Sequence, residues 1–203
     1  MIKIIKIKFV LTIIALLTLT SCTQVIVGGA TSTGLVLVQE RSTKQAALDI
    51  IIKTKIEESM FSNSYDKLFS KVRVIVYEGK VLLVGTVENK DTSTKAEEIS
   101  WETKNVKEVA NYISVGKNDL VDYVKDTRIS LEFRAKLLTD QEISEVNFSS
   151  TTENRILYIV GTAQDEKEMI KILDHASNIA GVKKIVNLII KKNDSKRKKE
   201  KKS

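Results

Sequence analysis

The side chains able to do chemistry in this 203-residue chain are few and scattered, and their spacing limits what each can do. Cys22 is the only cysteine, so its thiol has no partner cysteine for a disulfide or a thiolate metal site. His175, the only histidine, falls in a predicted helix with no second histidine to share a metal, and reads as a surface or packing residue. The carboxylate pairs Glu97-Glu98 and Asp165-Glu166 lie in or at the start of predicted helices. Acidic residues there favour the helix N-terminus or face solvent. Trp101, on a predicted helix, reads as core. No Gly-rich phosphate loop and no nucleophile elbow occurs in the sequence. The expectation is a chain without catalytic residues, metal or cofactor.

Cys22 is the exception, because of what precedes it. Met1 to Ser21 reads MIKIIKIKFVLTIIALLTLTS, with Lys3, Lys6 and Lys8 ahead of an apolar run from Phe9 to Leu19. That is the layout of a secretory signal, and the run is shorter than the roughly 20 apolar residues needed to span a bilayer. Leu19-Thr20-Ser21-Cys22 resembles the lipobox of bacterial lipoproteins. The resemblance implies cleavage before Cys22, a diacylglycerol on its thiol and an acylated amino terminus. The alternative is a buried structural cysteine, but this thiol stands where cleavage would occur rather than in a packed segment. Two or more acyl chains suffice for stable anchoring, so the mature protein is expected to be anchored to a membrane without spanning it. Thr23, rather than Asp, follows Cys22. By resemblance to the sorting rule of diderm bacteria, this implies the outer membrane, with the protein facing the periplasm. The compartment would permit disulfides, but no cysteine is left to form one, and stability must come from a core.

The net charge of +7 suggests nucleic acid until it is located. Three lysines leave with the signal. Eight basic and two acidic residues stand in the tail KKNDSKRKKEKKS from Lys191 onward. The remainder is slightly acidic and offers no broad basic face, and export removes the protein from the chromosome, so nucleic acid is not an expected partner. The tail has no apolar residue after Ile190 and is read as disordered from residue 193 to 203. It either solubilises the chain or lies against anionic headgroups. Residues 22–44, with Gly28-Gly29, read as an acylated tether, although the apolar stretch Gly34 to Val38 could form a strand or rest on the membrane.

The body is a repeat. EGKVLLVGTVEN at 78–89 has a counterpart in ENRILYIVGTAQDE at 153–166, and Gly161 follows Gly85 by 76 residues. VKKIVN from Val182 follows VKEVAN from Val106 by the same interval. Two copies of one small domain explain both. Each copy opens with a helix, marked by Leu48, Ile52, Ile56 and Met60 in the first and by Ile129, Phe133 and Leu137 in the second. A strand pair follows. In the first copy Val72, Val74 and Val76 turn through Glu78-Gly79 into Val81-Leu82-Leu83-Val84. In the second, Val146 and Phe148 are expected to lead through a longer polar turn, Ser149 to Arg155, into Ile156 to Val160. Helices at Ser93 to Asn105 and Glu166 to Ile179 come next, then strands at Glu108 to Val115 and Lys184 to Lys191. The predicted class is α+β, with each unit ordered α-β-β-α-β and a small three-stranded mixed sheet covered by two helices. Units of about 70 residues are small for independent folding, so the two are expected to lean on each other. Gly85 and Gly161 are expected where a Cβ would block a close approach.

The motifs YEGKVLLVGTV (77–87), DTRISLEFRAKLLT (126–139), NRILYIVGTAQDEKE (154–168) and AGVKKIVNLI (180–189) resemble the BON domain. A tandem pair behind a lipobox is similar to the dual-BON-domain outer-membrane lipoproteins. The resemblance covers nearly all of the mature chain except the tail, with domain 1 at 45–117 and domain 2 at 123–192. It implies a lipid-binding surface on the first helix of domain 2.

The helical wheel of residues 126–138 gives an independent reading. Ile129, Phe133 and Leu137 form one stripe that must face the sheet, while Leu131, Ala135 and Leu138 lie opposite, flanked by Arg128 and Arg134. An apolar strip edged by arginines requires a partner. An anionic phospholipid membrane fits, with leucines entering the acyl boundary and guanidinium groups on phosphates. Domain 1, docked on the same strip, is the other candidate. The family's lipid-binding helix can carry an aromatic residue where this chain has Arg128, which makes the expected contact more electrostatic. Two functions follow from this reading. One is a lipid-anchored periplasmic protein that binds anionic phospholipid through domain 2 and supports envelope integrity. The other is an adaptor that docks envelope proteins of an assembly or stress-response machine.

Overall fold

The computed structural model describes residues 41–117 and 120–194. The signal, Cys22, the tether up to residue 40 and the tail from residue 195 lie outside the described residues. All described residues belong to one compact unit, Leu35–Ser203.

The first helix, α1, is Thr43–Asn63, capped by Ser42, whose hydroxyl oxygen accepts from the Gln45 N–H at 3.2 Å. It buries Ile52, Ile56 and Met60 of the stripe read from the sequence and leaves Leu48 half-buried, and it starts ahead of the expected boundary at residue 45. A short π-helical turn, Tyr65–Phe69, leads into strand β1, Val72–Tyr77. Strand β2 (Lys80–Val87) pairs antiparallel with β1, and β3 (Glu108–Val115) pairs parallel with β2 after helix α2 (Lys90–Glu102). The second copy repeats this with α3 (Leu120–Thr139), β4 (Phe148–Glu153), β5 (Ile156–Ala163), α4 (Glu166–Ser177) and β6 (Lys184–Lys191). In each sheet the second strand of the hairpin is central.

The hairpin turns are two residues long, and all four central positions have positive φ: 52° and 81° at Glu78-Gly79, 53° and 64° at Asn154-Arg155. That is the turn whose twist matches paired strands, but only glycine enters it without strain. A buried aspartate on the preceding helix compensates. The Asp49 carboxylate accepts from the N–H groups of Glu78 and Gly79 at 2.8 and 2.9 Å. Asp126 accepts from those of Asn154 and Arg155 at 2.8 and 2.7 Å. The two glycines of the repeated motif have the role expected of them. A Cβ on Gly85 would lie 2.1 Å from the Lys71 carbonyl oxygen, and one on Gly161 would lie 2.3 Å from that of Asn147.

The predicted polar turn from Ser149 to Arg155 is corrected by the structure. Residues Phe148–Glu153 are a strand, and only Asn154-Arg155 turn. A strand this polar is possible because its buried end, Thr152 and Glu153, has hydrogen-bond partners. The Ser130 hydroxyl donates to Thr152 at 2.8 Å, and the Thr86 hydroxyl of domain 1 donates to Glu153 at 2.6 Å.

Each sheet carries one face into its own core. Ile52, Ile56, Val81, Leu83, Ala96 and Ile99 fill the first, and Ile129, Phe133, Leu157, Ile159, Ile172 and Ala176 the second. The other faces meet each other. Leu82 and Val84 pack with Tyr158, and Ile75, Ala110, Ile156, Val186 and Leu188 close round them. Tyr112 and Tyr158 stand 5.2 Å apart across the junction. Burial, with the Glu153 carboxylate beside it, pushes the Tyr158 phenol up. Arg73 of β1 is ion-paired with Glu153 and donates to the Thr152 carbonyl at 2.8 Å. The layers therefore run helices, sheet, sheet, helices.

The outer strands β3 and β6 carry matching asparagines. The Ile113 N–H donates to the Asn111 side-chain oxygen at 3.0 Å, and the Ile189 N–H to that of Asn187 at 2.9 Å.

Replacing Asp126 by Ala strands two turn N–H groups, and we expect a loss of about 2–3 kcal/mol in urea unfolding. Arg155→Gly removes a left-handed non-glycine residue and should raise stability by up to about 1 kcal/mol. Gly79 already occupies the equivalent place in domain 1.

Candidate functional site

Helix α3 is 20 residues long, about 30 Å, and starts at Leu120 rather than at the domain boundary of 123 expected from the sequence. Asp126 pins it to the β4–β5 turn, and Ile129, Phe133 and Leu137 are buried against the sheet. That pinning fixes which residues face away. Leu131 is 65 % exposed and Leu138 61 % exposed, with Ala135 exposed between them.

Domain 1 does not cover this strip. It docks through the sheet faces, on the other side of domain 2, and the possibility that it seats on Leu131 and Leu138 is overturned. The strip is also longer than the wheel of residues 126–138 revealed. Leu120 and Val124, 75 % and 61 % exposed, continue it through nearly two more turns. Their spacing of 120, 124, 131, 135 and 138 was available in the sequence. The missed signal was the helix start, since the first core position of the stripe is Asp126, a polar residue.

The flanking arginines are exposed and have partners within the chain. Arg128 donates to the Ala180 carbonyl oxygen at 2.5 Å, tying α3 to the loop before β6. The Arg134 side chain meets Glu145 at 3.1 Å, Nε to Oε1. Each has further guanidinium N–H groups, so an anion would share them with these contacts rather than meet bare cations.

Beyond α3, the single histidine takes part in structure. His175 Nε2 lies 2.7 Å from Asp140 Oδ2, and Lys171 reaches Asp140 and Glu142 at 2.9 and 2.7 Å. Lys171 first, then His175, holds the Asp140 carboxyl well below the usual carboxylate range. Asp165 caps α4 by accepting from the Glu168 N–H at 2.9 Å, in keeping with its place at a helix start. Trp101 is not core: it is 51 % exposed, because the inward face of α2 is made by Ser93, Ala96, Ile99 and Ser100. Among the described residues no group of three His, Cys, Asp or Glu side chains could hold a metal ion.

Because Leu131 and Leu138 are out of the core, Leu131→Asp with Leu138→Asp should shift unfolding free energy by no more than about 1 kcal/mol, the range of surface changes. Denaturant titration checks this.

The BON domain pattern matches residues 42–117 and 125–192. A protein of Anaplasma centrale described as "Uncharacterized protein in gshII 5'region" is 34% identical over 143 residues, which cover 70% of this chain and 93% of that one. The "Outer membrane lipoprotein DolP" of Haemophilus influenzae is 25% identical over 171 residues, covering 84% and 88%. The "21 kDa hemolysin" of Actinobacillus pleuropneumoniae is 24% identical over 153 residues, covering 75% and 78%. With two thirds of its length in two copies of the pattern, each built as α-β-β-α-β, the chain belongs to the BON domain family.

Proposed function

We propose that this is a lipid-anchored protein of the outer membrane, facing the periplasm, that binds anionic phospholipid through α3 of domain 2 and so supports envelope integrity. The observation that carries the reading is the strip itself: Leu120, Val124, Leu131, Ala135 and Leu138 lie along one face of a helix whose opposite face is core, and domain 1 leaves them uncovered. A helix apolar on two sides needs a second apolar surface. Among the described residues no helix is long and apolar enough to cross a membrane, so α3 would lie along the interface. The Haemophilus relative, named as an outer membrane lipoprotein, and the lipobox-like residues before Cys22 support the location and the anchor.

The repeat supplies an internal control. Asp49 and Asp126 hold equivalent turns, so they set the register between α1 and α3. In that register Glu57 stands for Arg134, Glu58 for Ala135 and Thr54 for Leu131. Domain 1 has two carboxylates where domain 2 has an arginine and an apolar residue. Those carboxylates are paired with Lys53 and Lys55, so this face of α1 offers an anionic surface neither an apolar strip nor a free cation at these positions.

A second reading, an adaptor for envelope proteins, rests on a different patch. Phe61, Tyr65 and Phe69 are exposed and pack on one another at 5.4–5.8 Å, at the end of α1.

Vesicle co-sedimentation of residues 35–203, which carry no acyl anchor, separates the two. Binding to phosphatidylglycerol vesicles but not to neutral ones, retained when the tail is cut after Asp194 and reduced at least about tenfold by Leu131→Asp with Leu138→Asp, is the expected result. Unchanged binding by that variant would remove α3 from the mechanism. Glu145→Ala frees Arg134 and should tighten binding modestly at low salt, by no more than about 1 kcal/mol.

A further inference from the structure

A cleft of about 620 Å³ opens between the two domains, where β1 begins, β2 and β3 end, and α3 starts. Its wall contains the ion pair of Arg73 and Glu153, with Thr86 bonded to the same carboxylate. Those charges cancel each other. Three further cations line it, Lys67 from the π-helical turn, Lys71 just before β1 and Lys117 from the linker to α3. All three are exposed, and none is in an ion pair among the described residues. Asp66 and Glu88 are the other carboxylates of the lining, so cations are in excess. Thr92, in the first turn of α2, also lines the cleft, and the positive end of that helix dipole adds to the same field.

The scaffold does not need these lysines. With β1 and β4 in register through Val72 and Phe148, each partnered by a motif glycine, the counterpart of Lys71 is the buried Asn147. Domain 2 enters β4 through a 3-10 turn, Glu145–Asn147, that contains no lysine. With Lys67, Lys71, Arg73 and Lys117 set against Asp66, Glu88 and Glu153, one positive charge is left over in the lining, and an added anion would offset it.

We propose that this interdomain cleft binds a phosphate-class anion through Lys67, Lys71 and Lys117. It is a site apart from the apolar strip of α3 and does not rest on it. The ligand is either a soluble phosphate ester or a phospholipid headgroup. Tyr123 brings the start of α3 to the lip of the cleft, so a bilayer touching that end would present phosphates there.

Amide NMR of residues 35–203 tests this with inorganic phosphate at constant ionic strength and, separately, with nanodiscs of phosphatidylglycerol against phosphatidylcholine. Phosphate should shift the amides of residues 66–71, 86–92 and 116–117 saturably in the millimolar range. Lys67→Gln with Lys71→Gln, whose exposed positions leave the fold intact, should weaken the response about tenfold. Lys117→Gln alone should weaken it less. A response to phosphate with silent nanodiscs identifies a soluble ester, and a response to both admits the headgroup. No saturable shift, a shift unchanged in the double variant, or a response to nanodiscs with phosphate silent each overturns the proposal. The Leu131→Asp, Leu138→Asp variant should keep the phosphate response whatever becomes of its vesicle binding.

Discussion

Two buried carboxylates hold this architecture in register. Asp49 and Asp126 each accept from two consecutive N–H groups of a tight turn in the left-handed region, and each sits on the helix that opens its domain. The two charged hydrogen bonds at each turn offset the strain of non-glycine residues at positive φ, about 1–2 kcal/mol apiece. They also act on geometry. By tying one helical position to one turn they set the rotation of α1 and α3 about their axes, and so decide which side chains are core and which face out. The exposure of Leu131 and Leu138 follows from the placement of Asp126 five and twelve residues earlier.

The second constraint is the meeting of the two sheets. A three-stranded sheet has two faces, and two helices can cover only one. Leu82, Val84 and Tyr158 would be wet in an isolated domain, and burying each contributes about 1.5–3 kcal/mol. Pairing the bare faces turns two marginal units into one body and leaves the four α-helices of the described residues on the outside. The polar strand β4 belongs to this solution. Glu153 is tolerable in a buried position because Arg73 and Thr86 of the other domain meet it.

Much of this was legible in the sequence. The 76-residue interval gave the domain count, and alternation and turn residues gave the first hairpin, because those signals depend on neighbours along the chain. Gly85 and Gly161 announced a close approach that glycine alone permits. What depended on neighbours across the chain was not legible. Ser149 to Glu153 looked like a turn, since nothing local shows that Thr86, Ser130 and Arg73 wait to satisfy them. Trp101 looked like core because a large aromatic usually is, and its position one residue past Ser100 on α2 outweighed its chemistry. Cations on α3 were visible, but their partners Ala180 and Glu145 lie in other segments. Asp126 concealed the start of the strip by placing a carboxylate in the core stripe.

The asparagines of β3 and β6 bear on how such a protein lives among its own kind. An outer strand with unused N–H groups invites a foreign strand to add to it. Asn111 and Asn187 each occupy one such group with a side chain from the same strand, so the edge is partly self-satisfied. Were the chain anchored as proposed, its copies would meet at high local concentration. In that setting a blunted strand lets neighbouring molecules pass one another without being stitched into a continuous sheet.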